Sequence, residues 1–144
     1  MALAGDGTSD LYAGGRIFEV NNHVPTNGQI RVNDTGALDS IYAPTVSMLT
    51  LALAPAGDGS GDVLVFGPFG ERGVRLCRLN RHGAVVSTFH EPIIDREVFT
   101  IVPALDGTGD IYLGGAFTTN GQVVNRIARI HADGTLASAG SSTP

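Results

Sequence analysis

Four carboxylates set among loop-like residues, Glu71, Glu91, Asp95 and Glu97, are of the type that glycoside hydrolysis pairs about 5–10 Å apart across a cleft. Residue type alone permits that chemistry without building a site, because acid and base must converge on one bond. A second pattern recurs as Asp6, Thr8, Asp10, then Asp58, Ser60, Asp62, then Asp106, Thr108, Asp110. Alternating oxygen ligands in a glycine-containing loop suit calcium, but that ion takes about six or more oxygens and usually a bidentate glutamate at a fixed distance. Each turn offers fewer, so the expectation is a hairpin whose aspartates cap backbone amides. His23, His82, His90 and His131 have no close mutual spacing, and His82 and His131 precede turn glycines, which fits hairpin roles better than ligation. Cys77 is the only cysteine and allows neither a disulfide nor a cysteine zinc site within the chain. Between Leu76 and Arg78 it is expected to be a small buried apolar residue. No Gly-x-Ser-x-Gly elbow, His-Glu-x-x-His pair or lysine-bearing phosphate loop is present, so no catalytic residue, metal or cofactor is expected.

The elements that position these residues belong to a chain of 144 residues, the usual size of one domain. With 42% hydrophobic residues, 16% charged and 20 glycines, it should form a soluble, turn-rich globule, and no apolar run reaches the length of a bilayer helix. The net charge of −5 comes from 14 carboxylates against nine arginines without a lysine, and no basic cluster is present to follow phosphates. Neither nucleic acid nor a membrane is therefore an expected partner. Met1 to Gly5 contains neither a basic region nor a long apolar core, so no signal peptide is read there.

The chain repeats itself. The aspartate turns each open an apolar run ending in glycine, at Gly14 and Gly15, at Gly67, and at Gly114 and Gly115, and an aromatic follows at Phe18, Phe69 and Phe117. A second landmark comes later in each unit: Arg31-Val32-Asn33 leading to Gly36, Arg78-Leu79-Asn80 leading to Gly83, and Arg129-Ile130-His131 leading to Gly134. Two landmarks in fixed order define a repeat of about 50 residues, the period of propeller blades. Short apolar runs bounded by turn residues predict four antiparallel strands per unit, the fourth exemplified by residues 84–89, in an all-β chain. Apolar residues in both alternation phases, Val74 and Leu76 against Cys77 and Leu79, predict sheets covered on both faces. The expected blades are residues 1–42, 43–94 and 95–138, followed by a flexible tail at 139–144.

With these residues laid out, the chain resembles the delta-60 repeat family of β-propeller-type repeats in bacterial surface and secreted proteins. The likeness is densest over Asp106 to Gly121 and Asn125 to Leu136 and runs from about Leu3 to Leu136. Units one and two depart from it, with a longer middle loop in unit one and Phe66 and Pro68 in unit two. The resemblance implies a propeller fold and an extracellular or cell-surface setting, and it brings no catalytic residue.

In a blade, connections one-to-two and three-to-four share one rim, and connections two-to-three and four-to-one share the other. The first rim is nearly invariant among the units. The second varies, and loops on a rigid scaffold are where recognition residues gather. His23, Glu71, Arg72, His90, Asp95, Arg96 and Asn120 are the candidate ligand-binding residues on that variable rim, for a glycan or a protein. Propellers close with about four to eight blades. Three blades per chain thus predict a homodimer that closes six, the competing reading being a piece of a longer propeller with residues 137–144 as linker. A calcium-stabilised structural repeat or a hydrolase is the alternative function.

Overall fold

The computed structural model describes residues 1–17, 19–20, 24–46, 49–69, 71, 73–119, 122–123 and 126–137. Among them the chain is all-β. Each repeat unit forms a three-stranded antiparallel sheet with its strands in sequence order. Unit one contributes β1 (Ala2–Leu3), β2 (Leu11–Gly14) and, beyond an inserted hairpin of β3 (Glu19–Val20) and β4 (Val24–Pro25), β5 (Gln29–Val32). Unit two contributes β6 (Ala52–Pro55), β7 (Val63–Pro68) and β8 (Val74–Leu79). Unit three contributes β9 (Val98–Pro103), β10 (Ile111–Gly115) and, after the hairpin of β11 (Thr118–Thr119) and β12 (Gln122–Val123), β13 (Ile127–Ile130).

The expected fourth strand is not formed as a strand. Its place is marked by one bridge per unit, Val32 with Leu38, Leu79 with Val85, and Ile130 with Leu136. In units one and two the reason lies a few residues on. Tyr42 donates its backbone N–H to the Asp39 carbonyl and Phe89 to that of Val86, so the chain turns and drives an aromatic side chain into the core instead of extending.

Register assigns two faces to each sheet, because directly paired residues point to the same side. Val63 pairs with Leu79 and Val65 with both Cys77 and Leu53, giving β7 one apolar face. Leu64, Phe66 and Leu76 give it another. The first packs against Ala4, Tyr12 and Tyr42 of unit one and Val46 of the connection that follows it; the second packs against Ile101, Ile111, Leu113 and Ile130 of unit three. Unit two is therefore covered on both faces, as its two-phase apolar pattern requires. Close approach is built into the glycines that end the second strand. A β-carbon on Gly14 would stand 2.5 Å from the Thr50 methyl and 2.6 Å from Leu53, both of unit two. The paired glycines of unit three take up a β-bulge, where the register of β9 and β10 shifts between Gly114 and Gly115.

Candidate recognition rim and the aspartate–arginine clasps

The aspartate turns are held by two kinds of donor. Asp6 Oδ1 accepts the Thr8 amide at 3.1 Å and its hydroxyl at 2.5 Å, closing a local turn and leaving Oδ2 free to accept from Arg31 Nη2 at 2.7 Å. Asp10 Oδ2 accepts from Arg31 Nε at 3.0 Å and Nη2 at 2.9 Å. The same fork recurs with Arg78 on Asp58 and Asp62 at 2.6 and 2.7 Å, and with Arg129 on Asp106 and Asp110, both at 2.8 Å. The β2–β5 register places Arg31 opposite Tyr12, so the guanidinium lies over that ring, 5.3 Å from its centre, on its way to the turn.

Burial alone would raise the Asp6 carboxyl, but the Thr8 and Arg31 donors outweigh it and hold it far below the usual carboxylate range. Asp106 is lowered to about 2, chiefly by the Thr108 hydroxyl and amide, with Arg129 adding to them. The arginine side chains become more open along the chain, with 2%, 12% and 31% exposure for Arg31, Arg78 and Arg129, because each later unit covers the one before it. The clasps were missed as a unit in the sequence, although their signal was there: the arginine landmark and the aspartate landmark recur together. The capping role of Asp6, Asp58 and Asp106 is as expected. Among the described residues no group of three or more His, Cys, Asp or Glu is arranged to hold a metal ion.

On the variable rim, Asp95 accepts the Thr118 amide at 2.6 Å and its hydroxyl at 3.0 Å, and Ile94 bridges Thr119. These contacts bring the connection entering unit three together with β11, with Asp95 and Arg96 exposed there. Glu71 is exposed in the turn between β7 and β8. His90 stands apart from them: its backbone N–H donates to the Asp133 carbonyl at 2.7 Å, and its ring Nδ1 lies 3.2 Å from the same oxygen, beside the glycine turn of unit three. His23, Arg72 and Asn120 lie outside the described residues.

Of the carboxylates suited to hydrolysis, Glu91 is engaged by Arg75 through two bonds of 2.7 and 2.6 Å, and Asp95 by Thr118. Arg75 also lies over the Phe69 ring, 4.8 Å from its centre. That brace had no repeat signal, since Arg75 recurs in unit three as Arg126 whereas Glu91 does not recur in unit one, where Pro44 holds its place. Cys77 is fully buried, as expected; burial, with the Glu91 charge beside it, pushes its thiol up to about 12.

A family model described as a beta-propeller domain of unknown function (DUF5122) matches residues 107–136. No curated protein and no solved structure matches the chain. The matched stretch contains β10 and β13 of the third sheet, and over it the chain is similar to a β-propeller repeat family.

Proposed function

We propose that this chain is a non-catalytic β-propeller repeat module of the delta-60 kind that completes a six-bladed ring with a second copy and offers its variable rim to a glycan or protein ligand. The observation that carries assembly is the state of the two end sheets. Unit two buries both of its faces, whereas Leu3 of unit one is 60% exposed and Ile127 of unit three is 66% exposed, each at a place that is apolar in unit two. Apolar faces left open in this way are interaction surfaces. Two copies give six blades, within the range that closes, and cyclic pairing is the commonest form of self-association.

Light scattering over a range of concentrations tests assembly, with a dimer expected and a monomer at tens of micromolar overturning it. Recognition is tested with glycan and protein arrays, comparing Glu71→Lys and Arg96→Glu on the variable rim with Asp34→Lys on the opposite one. Binding lost only through Asp34→Lys would remove the rim assignment.

A further inference from the structure

The chain makes the same kind of junction twice, and its two ends carry the two halves of a third. Leu11, Ala13, Ile30 and Val32 of unit one share a face with Leu3 by register. By repeat position they correspond to Val63, Val65, Cys77 and Leu79, and to Ile111, Leu113, Ala128 and Ile130, all of them buried against the preceding unit. At the other end, Tyr112, Ile127 and Val102 share a face with Arg129 and correspond to Leu64, Leu76, Ala54 and Arg78, which lie against the following unit.

Tyr112 also repeats the outgoing contact of unit one. The Tyr12 hydroxyl accepts from Arg31 at 3.2 Å and donates to the Gly61 carbonyl of unit two at 2.6 Å. The Tyr112 hydroxyl accepts from Arg129 at 3.1 Å, and its own O–H has no acceptor among the described residues. Leu105 marks the same face. It occupies the left-handed region with φ 57°, where units one and two have Gly5 and Gly57. A β-carbon on either glycine would meet a proline in the next unit's first strand, Pro55 at 3.2 Å or Pro103 at 2.9 Å. Leu105 is 83% exposed. A bulky side chain in that backbone conformation is a true outlier. The proline position corresponds to Leu3 in unit one.

We infer that the open face of unit three docks head to tail on the open face of unit one in a second copy, with the Tyr112 hydroxyl donating to the second copy's Ser9 carbonyl and Leu105 meeting its Leu3. This assignment rests on the two-copy ring and specifies which surfaces close it. The faces are the continuation of the internal junctions, so another unit of this repeat fits them better than an unrelated partner, and twofold pairing forms the junction twice.

The test uses Leu3→Asp and Ile127→Asp, substitutions at exposed positions on opposite ends, with circular dichroism to verify folding. Each variant alone is expected to be monomeric. An equimolar mixture is expected to form a dimer, because one of its two junctions combines only unaltered faces. Tyr112→Phe should weaken the wild-type dimer by about fivefold for each junction, one net hydrogen bond apiece. Leu105→Gly should weaken it too, although it relieves the backbone. If the wild type is dimeric and either aspartate variant dimerises as tightly, or the folded variants fail to associate when mixed, the head-to-tail junction is refuted while the two-copy ring stands. A monomeric wild type removes the ring and this junction together.

Discussion

Gly134 lies directly beneath the His90 carbonyl: a β-carbon added to Gly134 would stand 2.1 Å from that oxygen. The relationship recurs one unit earlier, where Gly83 would meet the Ala43 carbonyl carbon at 2.6 Å, and in both places the connector donates a backbone N–H to the turn, His90 to Asp133 and Ala43 to His82. Gly36 also has a positive φ, 81°, but nothing within 4 Å. Gly36→Ala should therefore cost about 1–2 kcal/mol, the penalty of left-handed backbone alone. Gly134→Ala and Gly83→Ala should cost more, about 3 kcal/mol or above, since a backbone atom must also move. Chemical denaturation of the three variants checks the order. Equal losses would mean that the connector does not press on the turn.

The aspartate–arginine clasps should differ in weight from one unit to another. Arg31 and Asp6 have side chains 2% and 6% exposed, whereas Arg129 and Asp106 are 31% and 42% exposed. Removing one partner of a buried pair leaves an uncompensated charge, so Arg31→Met should destabilise by about 3 kcal/mol. Arg129→Met leaves its carboxylates to water and should cost clearly less. Melting temperatures of the two variants, compared at one concentration, provide the measurement.

Acid should weaken the fold below about pH 4. Asp6, Asp58, Asp106 and Asp110 are all lowered in the folded state, with Asp106 at about 2 against an ordinary value of 3.8. Between those values the unfolded chain binds protons that the folded chain refuses, so stability falls as pH drops and the loss is complete only below the folded values. From these groups the stability above pH 5 should be flat. Urea midpoints at pH 6, 4, 3 and 2 test this, and a midpoint unchanged from pH 6 to 3 would refute it.

How far the sequence reached can be traced to particular residues. The repeat, the all-β class and the two-faced middle sheet were legible because Val63 to Phe66 is apolar at every position and the aspartate turn recurs with its glycines. The glycines that end the second strand mark the close approach at Gly14 and the bulge at Gly114 and Gly115, where a side chain would not fit. Residues 84–89 look like a strand taken alone, but only Val85 bridges a neighbour there. Burial of Phe89 is a tertiary demand, and it turns the chain after Val86. The place of His90 in the chain points to the variable rim, whereas the connector hydrogen bond to Asp133 carries it to the glycine turn. Local sequence does not encode that contact.

Calcium should leave the melting temperature unchanged. In each aspartate turn the inward carboxylate oxygens already accept from a guanidinium, as Asp58 Oδ2 does from Arg78 Nη2 at 2.6 Å and Asp62 Oδ2 from Nε at 2.7 Å. The outer oxygen, Asp58 Oδ1, accepts from the Ser60 hydroxyl at 2.5 Å and its amide at 3.1 Å. A calcium ion would have to displace a cation bound in two places and still gather about six oxygens. An ion bound only to the folded state raises stability by mass action, so millimolar calcium against chelator is a direct test. No shift is expected for the wild type. A rise of several degrees would show that the turns bind the ion despite their arginines. In Arg129→Met, whose turn is the most open and has lost its guanidinium, a small calcium-dependent rise is expected, and its appearance there alone would show that the arginine occupies the cation's place.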